Sequence, residues 1–279
     1  MNKKTQRIDT EVLHSQKKAN NRLKLSAKTW FIVAVIGQWM FAVYVAGIYW
    51  LSALQGKFAQ WDKVVPKGFV KGDTMGNTAM IVHMLLAFVV IVGGPLQFVP
   101  GIQRKYPKFH RWNGRVYMVM VFLVSSAGLY MAWAKGGIGG PFQYASSTLS
   151  TILIFSFGIL AWRTAIQRKF KAHNRWAFRL FLAGIGVWFA RLGFMSWIII
   201  HKVLGYNHKP YWPHFYDIWS FGQYVLPLLM FEIYYRTLEK SGKSRKYAVM
   251  SVLYFLTFLT IVGIISATII LWIPRLSMI

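Results

Sequence analysis

Residues 76–99 read GNTAMIVHMLLAFVVIVGGPLQFV and contain no Lys, Arg, Asp or Glu. An apolar stretch of this length is typical of a transmembrane helix, because about 20 residues of helix cross the hydrocarbon core of a bilayer. The stretch therefore predicts an integral membrane protein that is built from α-helices.

Six further apolar stretches lie before and after this one, so the sequence predicts about seven transmembrane helices. The predicted spans are residues 29–54, 76–99, 115–135, 144–164, 177–201, 216–236 and 247–273. They form a single seven-helix transmembrane domain, 29–279, which follows a basic cytoplasmic tail, 1–28. The tail has no apolar core that begins early, unlike a cleavable signal peptide, and the first span is expected to stay as an anchor.

The composition agrees with a membrane protein and restricts its chemistry. Apolar residues make up 56% of the chain and charged residues 14%, whereas about a quarter of a soluble domain is charged. The chain has no cysteine. That excludes disulfides, cysteine-ligated metal sites and covalently attached haem, but not a metal or haem held by histidine.

The basic residues alternate between the two sides of the predicted bundle. Of the 33 Lys and Arg residues, 24 lie in residues 1–28, 100–115, 163–179 and 236–246. Because cytoplasmic loops of membrane proteins carry such an excess, the N-terminus is expected in the cytoplasm of a bacterial cell and the C-terminus outside its inner membrane. The net charge of +26 then predicts contact with anionic lipid headgroups rather than with nucleic acid.

Two basic segments of the chain resemble each other. Residues 102–115 read IQRKYPKFHRWNGR, and residues 166–179 read IQRKFKAHNRWAFR, with seven identities in fourteen positions at an offset of 64. The similarity predicts that spans 2–3 and spans 4–5 are duplicated helix hairpins related by an axis along the membrane normal. The alternative is that two basic loops met the same demands without common ancestry.

A series of motifs in fixed order resembles the DUF2306 family of predicted bacterial membrane proteins. The motifs are His83, GPLQF at 94–98, FHRWNGRVY at 109–117, AHNRWAFRL at 172–180, Arg191, Trp219 and Glu232. The resemblance covers roughly residues 76–236. Asn174 departs from it, because the family usually has a basic residue there. The resemblance implies the membrane architecture and brings no activity with it.

Two histidines and two arginines of the similar segments form the first candidate site. The repeat predicts that His110 and His173 approach each other at the cytoplasmic surface, in the way that paired imidazoles hold the iron of a b-type haem. Arg115 and Arg179 are then candidates for binding the propionates, because arginine binds carboxylates through two hydrogen bonds. The alternatives are contact with lipid phosphates and another polar ligand.

The remaining polar residues are singled out because they lie within or beside the predicted spans. Arg111 and Arg175 begin the two R-W-x-x-R elements. His83 is a candidate ligand or proton carrier, with a bond to a neighbouring helix as the alternative. Glu232 is expected to pair with Arg236 four residues on, or with Arg115 or Arg179 on another helix.

Arg191 is the most costly residue, because it lies near the middle of the fifth predicted span. A centred arginine costs at least about 2.5–3.5 kcal/mol to insert into a bilayer. It must face the bundle interior, where the candidate acceptors are His83, Gln97, Gln223 and a bound anion. A structural role and a substrate-binding role are both open.

Other features suggest no chemistry. Ser125-Ser126 and Ser146-Ser147-Thr148 are expected to serve helix packing, and 136–141 forms an outer turn. His201, His208 and His214 are interpreted as interfacial or loop residues. The sequence contains no clear nucleophile–base pair, metal motif or phosphate loop, so enzymatic activity is neither predicted nor excluded. Three classes of function remain: a haem-binding electron-transfer protein, a transporter or lipid-handling protein for an anionic ligand, and a scaffold.

Overall fold

The protein is predominantly helical, in a computed structural model that covers residues 3–65, 67–135, 140–207 and 209–277. No β-strand occurs within these ranges. Several of the helices are long and apolar enough to cross a bilayer. The all-α membrane fold class is therefore confirmed.

The helices follow one another with short connections. Their bounds are α1 Lys3–Val45, α2 Leu51–Leu54, α3 Thr74–Leu96, α4 Pro100–Lys105, α5 Pro107–Ala134, α6 Gly140–Ile166, α7 Phe170–Gly184, α8 Gly186–Val203, α9 Trp212–Lys240, α10 Lys243–Ala267 and α11 Ile273–Leu276. π-helical turns at Ala46–Trp50 and Thr268–Trp272 join α1 to α2 and α10 to α11, and short 3-10 helices occupy Phe58–Lys63 and Lys209–Tyr211.

A helix covers each of the seven predicted spans, although not all of them have the apolarity of a membrane crossing. Among the described residues, five helices meet the length and composition of a span, and the pair α7 and α8 makes a sixth if it is counted as one. Helix α9 is not among these helices. The number of seven crossings stays a prediction.

The fifth predicted span is broken rather than straight. The helix axis bends by 48° between α7 and α8, at Ile185, which is flanked by Gly184 and Gly186. Two glycines within three residues weaken a helix, because glycine costs about 1 kcal/mol relative to alanine in a helix interior. Tyr117 also approaches Gly184 so closely that a Cβ there would lie 3.2 Å from the phenol oxygen.

One face of helix α1 packs into the main apolar core of the bundle, whereas the opposite face, which includes Ile36 and Val43, is exposed. Phe41 and Tyr44 of α1 belong to the largest cluster of buried apolar residues, together with residues of α3, α7, α8 and α10. The basic tail is helical from Lys3 and continuous with the first span. Leu23 packs against Leu253 of α10, so this segment is part of the bundle.

The two predicted hairpins are each packed pairs of helices. In the first, the Asn113 amide on α5 donates to the Gly93 carbonyl on α3 at 2.9 Å. In the second, the His173 ring on α7 bonds the Ala161 carbonyl on α6 at 2.9 Å. The hydrogen bond within the first pair of helices therefore differs from the one within the second pair. Duplication of the hairpins stays a prediction.

The contact between α8 and α9 gives a first prediction. A Cβ added at Gly193 would overlap the Trp219 indole, so Gly193→Ala must displace a large ring. Overpacking of this kind costs about 1–3 kcal/mol, and we expect a lower midpoint of thermal unfolding in detergent. Gly101→Ala is the control, because a Cβ at that helical position meets no atom within 4 Å. Equal midpoints for the two variants would contradict this packing.

Candidate functional site

His110 and His173 occupy equivalent positions at the starts of two helices. His110 is the fourth residue of α5 and His173 the fourth residue of α7, and the approach of the two rings stays a prediction. Their backbone amides also make equivalent bonds, from His110 to Tyr106 O at 3.0 Å and from His173 to Lys169 O at 2.9 Å. Each histidine therefore occupies the same position in the first turn of its helix.

The two rings are held differently. His173 Nδ1 lies 2.9 Å from the Ala161 carbonyl, and because a carbonyl only accepts, the proton sits on Nδ1 and Nε2 keeps its lone pair. His110 Nδ1 is buried and has no hydrogen-bond partner in the described residues. One imidazole is therefore oriented by the protein, whereas the other is not.

The guanidinium groups of the two R-W-x-x-R elements have different surroundings. Arg111 and Arg115 are exposed, and Arg115 lies over the Trp112 ring at 5.8 Å. The second element packs against α9, which carries acidic residues, and binding of propionates by Arg115 and Arg179 stays a prediction.

Helix α9 supplies an acid to each arginine of the second element. Arg179 places Nε at 2.7 Å and Nη2 at 2.6 Å from Glu232 Oε1, and its guanidinium stacks over Trp176 at 4.3 Å. Arg175 pairs with Glu239 and lies 4.2 Å from the Tyr235 ring centroid. Glu232 thus pairs across helices with Arg179, one of the partners considered for it. Glu239 was not singled out, although it lies seven residues after Glu232 and on the same side of α9.

A polar cavity lies within the membrane-spanning part of the bundle, towards the end that carries residues 55–73. Its volume is about 310 Å³, and α3, α5, α6, α7, α8 and α9 line it together with residues of the 55–73 segment. The polar side chains of its wall are Lys67, His83, Ser125, Lys135, Gln143, Ser146, Ser147, Ser150, Thr151 and Gln223. The serines were interpreted from sequence as packing residues. Helical spacing alone does not reveal that they face a common space.

His83 is fixed in the wall of this cavity. Its Nδ1 lies 2.8 Å from the Val124 carbonyl, so the proton is on Nδ1. In the described residues Nε2 makes no hydrogen bond, which leaves a lone pair on a residue that lines the cavity. The ring also lies close to Gly128, where a Cβ would come within 3.0 Å of it. Both alternatives considered for His83, a bond to a neighbouring helix and an available ligand atom, are present together.

Lys135 lies at one edge of the cavity, where the segment of residues 55–73 contacts the end of α5. Its Nζ donates to the Lys67 carbonyl at 3.2 Å and to Asn77 Oδ1 at 3.4 Å, and lies 3.6 Å from the Asp73 carboxylate. Asp73 itself caps α3 by accepting from Gly76 N at 2.9 Å. A cation is thus held at the cavity edge by the start of α3.

Arg191 lies in α8 between the polar cavity and α1. One guanidinium nitrogen donates to the Val187 carbonyl on its own helix at 3.0 Å, and the group lies over the Phe41 ring at 4.9 Å. It is within electrostatic range of His83, one of its predicted partners. No carboxylate pairs with it in the described residues, although a guanidinium offers five donors.

The side of Arg191 that faces α1 is rich in hydrogen-bond donors. Tyr44, Tyr49 and Arg275 all lie within electrostatic range of its charge, and Arg275 bonds the Tyr44 hydroxyl at 3.3 Å. The Tyr49 hydroxyl and the Trp272 indole nitrogen are buried without a partner in the described residues. The surroundings of Arg191 therefore offer donors but no described counter-ion.

The outer histidines contact aromatic side chains or solvent. His201 bonds the Trp197 carbonyl at 2.9 Å and stacks near the Trp197 ring, and His214 is exposed. Neither lines the polar cavity. His208 and residues 136–139 of the predicted outer turn lie outside the described residues.

Fold and site together define a polytopic helical membrane protein with a polar cavity in its interior. The sequence model of a family described as "Predicted membrane protein (DUF2306)" matches residues 80–234, and the chain belongs to this family. No curated protein and no solved structure matches the chain. The matched range includes His83, His110, His173, Arg191 and Glu232.

The ion pair between α7 and α9 gives a second prediction. Arg179→Gln leaves Glu232 without its cation, and we expect the free energy of unfolding to fall by about 1–3 kcal/mol, towards the lower value because the Glu232 side chain is 34% exposed. Glu232→Gln in the Arg179→Gln background should cost less than it does alone, with a coupling of at least about 0.5 kcal/mol. Thermal or denaturant unfolding in detergent measures the free energy of unfolding of the unmodified protein, the two single variants and the double variant.

The more exposed pair of the same element is the control. Arg175→Gln should cost under about 1 kcal/mol, because its partner Glu239 is 46% exposed. Strictly additive effects of Arg179→Gln and Glu232→Gln would show that the two side chains do not interact in the membrane protein.

Proposed function

We propose that this protein binds a small anionic solute in the polar cavity beside His83, as a carrier or receptor in the membrane. The ligand class is a molecule with a carboxylate or phosphate group. The observation that supports the proposal is that Arg191, a cation that no described acid neutralises, lies outside the cavity lining but within electrostatic range of His83, which lines the cavity. The proposal takes up the second of the functional classes suggested by the sequence.

The charge of the cavity wall favours an anion. Lys67 and Lys135 line it and no Asp or Glu does; because Lys135 pairs with Asp73 at 3.6 Å, Lys67 supplies the charge that no described acid pairs. Hydroxyl and amide groups of α6 and α9 supply further donors, among them Ser147 and Gln223. A volume of about 310 Å³ is at the lower end of the range for small-molecule sites, about 300–1,000 Å³. The ligand is therefore expected to be a compact organic acid or phosphate.

Arg191 and His83 have complementary roles in this proposal. A guanidinium in the middle of a span is costly unless it finds acceptors, and the oxygens of a bound anion would supply them. His83 Nε2 accepts a hydrogen bond or a proton, so it would bind a protonated oxygen of the solute or take up a proton that travels with it. The Val124 carbonyl keeps this nitrogen unprotonated in the neutral ring.

The third prediction tests the anion site directly. Inorganic phosphate or succinate, compared with chloride at equal ionic strength, should raise the unfolding midpoint of the detergent-purified protein in a saturable way. A ligand at 100 times its dissociation constant adds about 2.7 kcal/mol to the stability. Arg191→Gln should abolish the rise, and His83→Gln should reduce it.

Arg111→Gln is the matched control, because Arg111 is exposed and distant in sequence from the cavity wall. It should keep the full rise. A rise that survives in Arg191→Gln, or an absence of any rise with either anion in the unmodified protein, would refute the proposed function.

Haem binding by His110 and His173 stays a prediction, and the geometry favours it less. The Nδ1 bond of His173 suits an axial ligand, because ligating histidines commonly donate that proton to a carbonyl. Arg179, however, is already paired with Glu232, and the Arg115 side chain is exposed. Neither guanidinium is therefore held in position for a haem propionate. Neither the polar cavity nor the larger apolar cavity of the bundle is lined by His110 or His173.

The fourth prediction concerns this second possibility. Protein purified from haem-replete cells should show no Soret band in its visible spectrum, either oxidised or reduced, because, in the described residues, neither His110 nor His173 lines a cavity that could hold a haem. A Soret band that disappears in both His110→Ala and His173→Ala would establish the haem and make electron transfer the leading function.

The exposed residues at the start of α5 support the predicted contact with anionic headgroups. Arg111, Trp112 and Arg115 are all exposed there, and indole and guanidinium groups together suit the interface between headgroups and acyl chains. This contact belongs with the proposed orientation in a bacterial inner membrane, with the N-terminus in the cytoplasm and the C-terminus outside.

A further inference from the structure

A second cavity, apolar and larger, lies on another side of α8. Its volume is about 690 Å³, and α1, α7, α8, α9 and α10 contribute most of its wall. Aromatic rings dominate that wall; they include Trp30, Phe31, Phe178, Phe189, Trp219 and Phe231. Residues 182, 189 and 193 of α7 and α8 face this cavity, whereas residues 183, 184 and 187 line the polar one. The two cavities are therefore separate sites.

The rings of the wall are held by one another, so the cavity is preformed. Trp30 stacks on Phe189 with ring centroids 6.3 Å apart, and Phe178 stacks on Phe231 at 5.0 Å. At the other end Trp219 stacks on Phe215 at 5.9 Å. Rigid aromatic walls bind an apolar ligand at a low cost in conformational entropy.

The shape of the apolar cavity suits an extended hydrocarbon chain. Its wall on α9 runs from Phe215 to Tyr235, which is about 30 Å at 1.5 Å per residue, the thickness of the hydrocarbon core. An acyl chain of one leaflet spans about half of that thickness, so the chain of a lipid with its headgroup at one end of the cavity fits along this wall.

One end of the apolar cavity is cationic. Lys24 and Lys28 line it, both are exposed, and their spacing of four residues puts them on one face of α1. Neither forms an ion pair in the described residues. The acids of neighbouring α9 are already paired, Glu232 with Arg179 and Glu239 with Arg175. The two lysines thus complement an anionic group at the end of an apolar chain.

We infer that this cavity binds one long-chain lipid with an anionic headgroup, with a chain along the aromatic wall and the headgroup at Lys24 and Lys28. The lipid comes from the leaflet on the side where the basic start of α1 lies. The inference is independent of the proposed anion site, because no residue of the polar cavity takes part in it.

The experiment compares two lipids with identical chains on the full-length protein in a neutral detergent. Phosphatidylglycerol should raise the unfolding midpoint by about 3 °C or more above the rise with phosphatidylcholine. Lys24→Gln with Lys28→Gln should lose this difference while keeping the midpoint measured in detergent alone. Lys243→Gln with Arg245→Gln removes the same charge from exposed residues at the start of α10, outside the cavity wall, and should keep it.

Two further measurements test the chain and the headgroup separately. Ala27→Phe, in the wall near the lysines, should remove the rise with either lipid, and native mass spectrometry should show that the bound lipid is lost. In the Arg191→Gln background, where the proposed anion site is removed, soluble glycerol phosphate should give no rise. An equal rise with glycerol phosphate in that background, a loss in the α10 control as large as in the α1 variant, or retention of the lipid by Ala27→Phe would overturn the inference. The lipid measurements do not involve Arg191, so failure of the proposed anion site and failure of the lipid site are distinguishable.

Discussion

A protein in a bilayer must satisfy its polar groups internally, and this constraint shapes the whole molecule. The backbone meets it by forming helices, as the described chain does throughout its membrane-spanning part. The polar side chains meet it by facing one another inside the bundle. His83 bonds Val124, Asn113 bonds Gly93 and Arg191 bonds Val187, each through a backbone carbonyl. Among the polar side chains, His83, Ser147 and Gln223 line one interior cavity.

The two R-W-x-x-R elements show how similar sequences acquire different surroundings. Both begin a helix, and both place a histidine in its first turn. The second element packs against α9, where Glu232 and Glu239 neutralise Arg179 and Arg175. The first element has no acidic neighbour of this kind, and Arg111 and Arg115 remain exposed. One element therefore joins helices, whereas the other is available to the membrane surface.

The bend at Ile185 gives the bundle room for two sites of opposite character. A straight helix would present one continuous face, but the 48° bend separates α7 from α8 where both cavities lie against them. The polar cavity collects hydroxyl, amide and cationic groups, which suits a small anion. The apolar cavity collects aromatic rings with lysines at one end, which suits a lipid. A protein with both sites is well placed to respond to a solute and to its membrane.

Several features were determined by the sequence alone, because hydropathy and helix-start signals are local properties. The apolar stretches predicted the helical membrane fold, and the motif order predicted the family. Only the tertiary structure decided which faces meet. It put Glu232 beside Arg179, turned Ser146 and Ser147 towards a cavity, and set one face of α1 in the core. These depend on the rotation of each helix about its axis and on the bend at Ile185, which no single segment encodes.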